Sequence, residues 1–248
     1  FAALADGTYS DCTITVTDNA SNSVTIDVNS FTIDTTAPTL AQVTAVTTPT
    51  NDNTSSYTFS STEAGTISYS ICGGNLDNAS ADNNTITFDA LADGNYSDCK
   101  ISVTDNASNT SDNLSVSSFT IDTVKPVLAQ VTAVTTPTKD PTPGYAFSSD
   151  EAGTISYGGC SPGGTSAGNG TNSISFGTLS DASYSNCTIT VTDSAGNASS
   201  ALSVNTFVVD TTAPTVSSVS SSTSDGAYKL NDNITVTVTF NDNVIVDN

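Results

Sequence analysis

The side chains able to do chemistry in this 248-residue chain are almost all carboxylates and thiols. It holds 25 acidic residues against four bases, a formal net charge of −21, and no histidine, tryptophan or methionine. All acids are aspartate except Glu63 and Glu151; all bases are lysine (Lys100, Lys125, Lys139, Lys229), and arginine is absent. Such donors can coordinate a hard cation through oxygen, which suits calcium, or pair as acid and base for glycoside hydrolysis. Without histidine, Ser-His-Asp and Cys-His devices and imidazole-dependent zinc sites cannot be built. Nucleic-acid binding is excluded by the charge, because that affinity rests on basic side chains.

The conspicuous acids recur at a fixed interval. Asp34, Asp122 and Asp210 are spaced 88 apart, as are Glu63 and Glu151, and Asp105 and Asp193. The rest of the sequence keeps the same period. Leu4-Ala-Asp-Gly-Thr-Tyr-Ser-Asp-Cys12, Leu91-Ala-Asp-Gly-Asn-Tyr-Ser-Asp-Cys99 and Leu179-Ser-Asp-Ala-Ser-Tyr-Ser-Asn-Cys187 are versions of one segment. Each leads into an alternating strand, an Asp-rich turn and an FTID or FVVD strand. LAQVTAVTTPT occurs at 40 and again at 128. Acids that recur with a repeat argue for a structural role and against an enzyme.

A unit of 88 residues is too long for a solenoid repeat and suits a small sandwich domain. Period-2 runs rich in Val, Ile, Thr, Tyr and Phe predict strands over about 40–48, 56–61, 65–72, 84–89, 96–104 and 113–121, with no helical periodicity. Six or seven antiparallel strands in such a unit point to an all-β chain of tandem immunoglobulin-like β-sandwich domains. Tyr9, Tyr96 and Tyr184 follow a Leu-x-Asp turn, the form of a tyrosine corner whose hydroxyl bonds back to the chain. Cys72 and Cys160 close strand C of their repeats, and Cys99 and Cys187 open strand F, its antiparallel neighbour. This pairs Cys72 with Cys99 and Cys160 with Cys187, and leaves Cys12 with a partner in an upstream strand. Disulfides imply an oxidising, extracytoplasmic compartment.

The domain map is residues 1–34 as the last strands of one domain, 35–122 and 123–210 as complete domains, and 211–248 as the start of a divergent fourth without cysteine. Prolines in the Thr-Ala-Pro and Val-Lys-Pro linkers restrict the joints, so an extended rod is expected. No apolar run reaches membrane-spanning length, so no membrane insertion is expected in this segment. There is no initiator methionine and no leader pattern; the chain reads as an interior piece of something longer.

Val191-Thr-Asp-Ser-Ala-Gly-Asn197 and Phe31-Thr-Ile-Asp-Thr-Thr-Ala-Pro38 resemble tandem bacterial Ig-like domains of large repetitive cell-surface and biofilm adhesins. The resemblance spans essentially the whole chain. It implies an extension arm that holds a distal binding module away from the cell, with calcium stiffening the joints, on the cell surface or outside the cell. Residues 224–240 resemble the opening of a different Ig-like subfamily.

Sandwich topology brings the entering linker, the B–C turn and the F–G turn to one end of a domain. The metal-ligating sets expected there are Asp34, Glu63 and Asp105, then Asp122, Glu151 and Asp193, and then Asp210 with Asp242 as a looser member. Asn106, Asn109 and Asn197 could add neutral oxygens. Against this, Asp and Asn are the ordinary turn formers. The function read from these features is a non-catalytic spacer or stalk of an extracellular adhesin, partnered by its own neighbouring domains. Two other readings stay open. One is a carbohydrate-binding accessory region of a secreted enzyme, disfavoured by the lack of tryptophan. The other is a filament subunit whose end domains are completed by other copies, disfavoured because 211–248 lacks the cysteine pattern of 1–34.

Overall fold

The computed structural model describes residues 3–160 and 163–246. The outermost residues of the first and last segments of the domain map (1, 2, 247 and 248) lie outside this range. Every regular element among the described residues is a β-strand; the strands pair with one another antiparallel, and single parallel bridges join Thr50 to Ile121 and Thr138 to Val209. The chain divides into two compact units, Phe1–Lys125 with Ser194–Asn197, and Pro126–Asp193 with Ala198–Asn248.

In the first unit, Leu40–Thr44, Ser56–Ser61 and Asp82–Thr87 form a three-stranded sheet with Ser56–Ser61 in the centre. A four-stranded sheet runs in the order Leu114–Ser115, Lys100–Thr104, Gly65–Tyr69, Asn78–Ala79. Alternation decides which faces meet. Tyr57 and Phe59 of one sheet and Ile67, Ile101 and Val103 of the other are buried in a single core cluster. Their neighbours Thr58, Ser102 and Thr104 are only partly buried, as a period-2 pleat requires. Two sheets closing over one core is consistent with a β-sandwich. Tyr57, Phe88, Phe119 and Tyr96 run through this core as a stack, with successive ring centroids 6.0, 5.7 and 5.3 Å apart. Burial pushes the Tyr57 hydroxyl up to about 12, and it donates to Gln42 Oε1 at 3.2 Å.

Two of the predicted strands are each broken in two. The run at 96–104 is Gly94–Tyr96 and Lys100–Thr104, and the run at 113–121 is Leu114–Ser115 and Phe119–Ile121. The cause is a change of partner: Gly94–Tyr96 pairs with Phe119–Ile121, whereas Lys100–Thr104 pairs with Gly65–Tyr69 and Leu114–Ser115. The tyrosine hydroxyl fixes the crossover. Tyr96 donates to Ala92 O at 2.8 Å, and Tyr9 to Ala5 O at 2.8 Å. The predicted strand at 40–48 ends at Thr44, after a register shift between Gln42 and Thr44.

The second unit repeats this plan. Leu128–Thr132, Gly144–Ser149 and Gly170–Ser175 form one sheet, and Ser166–Ala167, Gly153–Gly158, Thr188–Thr192 and Leu202–Ser203 the other. Tyr145, Phe147, Ile155, Ile189, Val191 and Phe207 occupy the matching core positions. Tyr184 donates to Ser180 O at 3.0 Å, and the corner-type bond recurs from Tyr228 to Ser224 O. Ala182–Tyr184 pairs with Phe207–Val209, and the hairpin of Val216–Ser221 with Val236–Phe240 completes the elements of this unit.

Disulfides join Cys72 to Cys99 and Cys160 to Cys187, each pair 27 residues apart, with Cα atoms 5.6 and 5.2 Å apart; Cys12 is free. Because Phe119 sits fully buried between Phe88 and Tyr96, Phe119→Ala should destabilise its repeat by about 3–5 kcal/mol. The matching repeat around Phe207 should be unaffected, so calorimetry should resolve one lowered transition beside one unchanged.

Candidate metal centre

Three strand ends of the first unit converge on a group of carboxylates. Asp34 follows Phe31–Ile33, Asp105 follows Lys100–Thr104, and Glu63 lies in the turn between Ser56–Ser61 and Gly65–Tyr69. Each offers an oxygen, and these oxygens all lie within 4.8 Å of one another. The turns are held from inside. The buried Ser61 donates its hydroxyl to Glu63 O at 2.6 Å, fixing the Glu63 backbone. Asp105 Oδ1 accepts the Asn109 N–H at 2.8 Å, and its Oδ2 accepts Asn109 Nδ2 at 2.9 Å. The same Asn109 Nδ2 donates to Asp34 O at 3.1 Å, which ties the F–G turn to the entering linker. Asp34 Oδ1 accepts Thr36 N–H at 3.1 Å, the local bond expected of an aspartate in a turn.

Gly65 lies too close to the neighbouring strand to carry a side chain. A Cβ there would run into the Thr104 carbonyl and the Val103 side chain. Ser108 holds a positive φ of 76°, which closes the Asp105 turn.

The acids titrate differently. Burial pushes the Glu63 carboxyl up from the usual glutamate value, and the negative charges of Asp34 and Asp105 add to this. Burial acts in the same direction on Asp105. There, however, the combined hydrogen bonds from Asn109 and from the Ala107 and Ser108 N–H groups outweigh it, and the carboxyl lies below the usual aspartate value. The charged form of Glu63 is therefore disfavoured beside an Asp105 that its own turn stabilises. The oxygens of the cluster are of the hard type that suits calcium or magnesium, and the sequence has no histidine to add to them.

The other expected ligands are placed as follows. Asp122 ends the strand Phe119–Ile121 in the first unit; its Oδ1 accepts Val124 N–H at 3.1 Å and its carbonyl accepts Asn197 Nδ2 at 2.8 Å. Glu151 and Asp193 belong to the second unit, at the turns matching Glu63 and Asp105. The backbone of Glu151 is held by Ser149 Oγ at 2.6 Å, as Ser61 holds Glu63. Asp210 Oδ1 accepts Thr212 N–H at 3.1 Å, and Asp242 Oδ1 accepts Asn243 N–H at 2.7 Å. Among the described residues neither joins a group of three acids.

A second set of aspartates escaped the sequence reading. Asp6, Asp93 and Asp181, the acids of the Leu-x-Asp turns, each clip a threonine in the linker that leaves the same repeat. Thr35 Oγ1 donates to Asp6 at 2.9 Å, Thr123 N–H and Oγ1 to Asp93 at 3.0 and 2.9 Å, and Thr211 N–H and Oγ1 to Asp181 at 2.9 and 2.7 Å. Hydrogen bonds from Thr212 and Thr211 hold the Asp181 carboxyl below its usual value, and those from Thr35 do the same for Asp6. The invariance of Asp three residues before each corner tyrosine, matched by Thr directly after each linker aspartate, was the available signal.

No protein-family model matches this chain, and a search of curated proteins finds no match to it.

Because the folded state raises the Glu63 carboxyl, it holds that proton more tightly than the unfolded chain does. The ionised side chain thus weakens the fold above the carboxylate range, and the effect vanishes in acid, once both states are protonated. Glu63→Gln should therefore raise the melting temperature of metal-free protein at neutral pH. The gain should fade as the pH drops below about 4, near the unperturbed glutamate value. Thermal melts of variant and parent in chelator at both pH values check this. Asp105 has the opposite sign: its contribution is present at neutral pH and is lost in acid.

Proposed function

We propose that this chain is a non-catalytic spacer of a large extracellular bacterial adhesin, built from tandem immunoglobulin-like domains in an extended array with calcium-stiffened joints. The observation that carries this reading is the repetition of one complete structural plan. Residues 40–121 and 128–209 have the same sheet orders, the same aromatic core positions and a disulfide at the same place. The pairing supports the immunoglobulin-like assignment. Leu40–Thr44, Ser56–Ser61 and Asp82–Thr87 correspond to strands A, B and E of one sheet, and Leu114–Ser115, Lys100–Thr104, Gly65–Tyr69 and Asn78–Ala79 to G, F, C and C′ of the other, with a tyrosine corner before F.

What recurs in these repeats serves packing, clipping and crosslinking. Asn109, Asp93 and Ser61 spend their polar groups on linker and turn backbone, which favours a part whose task is to hold a fixed geometry. Disulfides in small all-β repeats favour an oxidising, extracellular setting. A calcium ion held by Asp34, Glu63 and Asp105 would offset their mutual repulsion and bind the linker to two turns of the following repeat.

Extracellular calcium modules bind at about 10⁻⁴–10⁻³ M. At roughly millimolar calcium, such a site contributes about 0.4–1.4 kcal/mol, enough to bias bending but not to fold a repeat. Small-angle scattering of the intact chain should show a larger maximum dimension in calcium than in chelator, with both cooperative melting transitions surviving chelation. In calorimetric titration, Glu63→Gln should weaken calcium binding. Equal dimensions in the two buffers would refute joint stiffening. Selective glycan binding on an array would favour a carbohydrate-binding role over that of a spacer.

A further inference from the structure

The strand Thr13–Thr17 corresponds to Lys100–Thr104 and Thr188–Thr192, yet its apolar side chains have a different fate. Ile14 and Val16 are 49% and 60% exposed, while their counterparts Ile101 and Val103 are 1% and 0% exposed. Ile189 and Val191 are fully buried. Val24 and Ile26, which face Val16 and Ile14 across the hairpin, are also exposed.

The complete repeats show what belongs on this strand. Gly65–Tyr69 pairs along the free side of Lys100–Thr104, with Tyr69 opposite Ile101 and Ile67 opposite Val103. Gly153–Gly158 does the same in the second unit, with Tyr157 opposite Ile189 and Ile155 opposite Val191. In both cases the incoming strand reads Gly-Thr-Ile-Ser-Tyr, and the cysteine shortly after it is bridged to the residue just before the receiving strand. Thr13–Thr17 pairs only with Ser23–Asp27 among the described residues, and Cys12, just before it, is free.

The receiving half is already built as in the complete repeats. Val28 N–H donates to Cys12 O at 2.8 Å, as Val116 does to Cys99 O at 3.0 Å and Val204 to Cys187 O at 2.9 Å. The Tyr9 corner bond and the Tyr9–Phe31 stack, with centroids 5.4 Å apart, are also in place.

We propose that the open edge of Thr13–Thr17, the apolar face of Ile14 and Val16 and the Cys12 thiol together form a docking site for one extended strand of the Gly-Thr-Ile-Ser-Tyr-x-x-Cys type, clamped by a disulfide to Cys12. A face-to-face copy of the hairpin would cover the valines but would match neither the open edge nor the thiol. A strand of this pattern satisfies all three, and the two complete repeats hold one. The inference rests on the repeat architecture and is independent of calcium and of the spacer role.

The covalent step needs a small-molecule disulfide as oxidant. The Cys12 thiolate attacks oxidised glutathione, forming a mixed disulfide and releasing one glutathione thiolate. The strand's cysteine thiolate then attacks the Cys12 sulfur, forming the clamp and expelling the second glutathione. Two thiols are oxidised and one disulfide is reduced.

The test incubates the intact chain in a glutathione buffer with a synthetic peptide of sequence GTISYSIC, that of residues 65–72, or with a scrambled peptide that keeps the terminal cysteine. Peptide mapping should find roughly ten-fold more Cys12 adduct with the matched peptide, a preference that corresponds to about 1.4 kcal/mol. A matched peptide ending in serine should still slow amide exchange across Thr13–Thr17. Val16→Asp should abolish the preference while both native disulfides stay intact. Equal adduct from both peptides, or Cys12–Cys12 dimers as the main product with unchanged exchange, would overturn the proposal.

Discussion

Burial of one strand, Lys100–Thr104, organises the whole repeat. Ile101 and Val103 can leave water only if a second sheet covers them, and this requirement sets the pleat phase of the strand. One end of the strand begins just after Cys99, where the crosslink is made, and the other ends just before Asp105, where the acids gather. A register slip by one residue would turn Ile101 and Val103 to solvent and displace both the sulfur and the carboxylate. Core, crosslink and acidic pocket are therefore consequences of a single alignment, the same one seen for Thr188–Thr192 between Cys187 and Asp193.

The acidic pocket shows how a fold can hold unfavourable charge. Asp105 has no cationic partner among its hydrogen bonds; its oxygens are met by neutral N–H groups of its own turn, Asn109 above all. Among the described residues Glu63 has no comparable side-chain donors, and its ionised form bears the effect of burial and of the neighbouring carboxylates. Both glutamates follow a buried serine that fixes their backbone, Ser61 and Ser149, so the positions are set by turn geometry more than by charge.

Much of this was legible in the residues because period-2 alternation and an 88-residue recurrence are properties of the chain itself. Ile101 and Val103, the corner tyrosines and the convergence of Asp34, Glu63 and Asp105 all follow from spacing plus sheet topology. What stayed hidden was long-range or local in a way that propensity does not encode. The break at 97–99 arises because the chain changes pairing partner, and nothing in Ser97-Asp98-Cys99 announces it. The Asp93–Thr123 clip joins residues 30 apart that each look like ordinary turn residues. The positive φ of Ser108 is hard to see in a serine, although glycine at the aligned position 196, with a φ of 97°, hints at it.

The placement of the disulfides has a mechanical corollary. In a chain pulled from its ends, the stretch between Cys72 and Cys99 is short-circuited by covalent bonds, so its 27-residue separation cannot pay out when the repeat gives way. At about 3.3–3.6 Å per residue, this withholds roughly 90 Å of contour from each bridged repeat. A chain bridged in this way would lengthen in shorter steps under load, with the strands Gly65–Tyr69 and Lys100–Thr104 kept close by the crosslink.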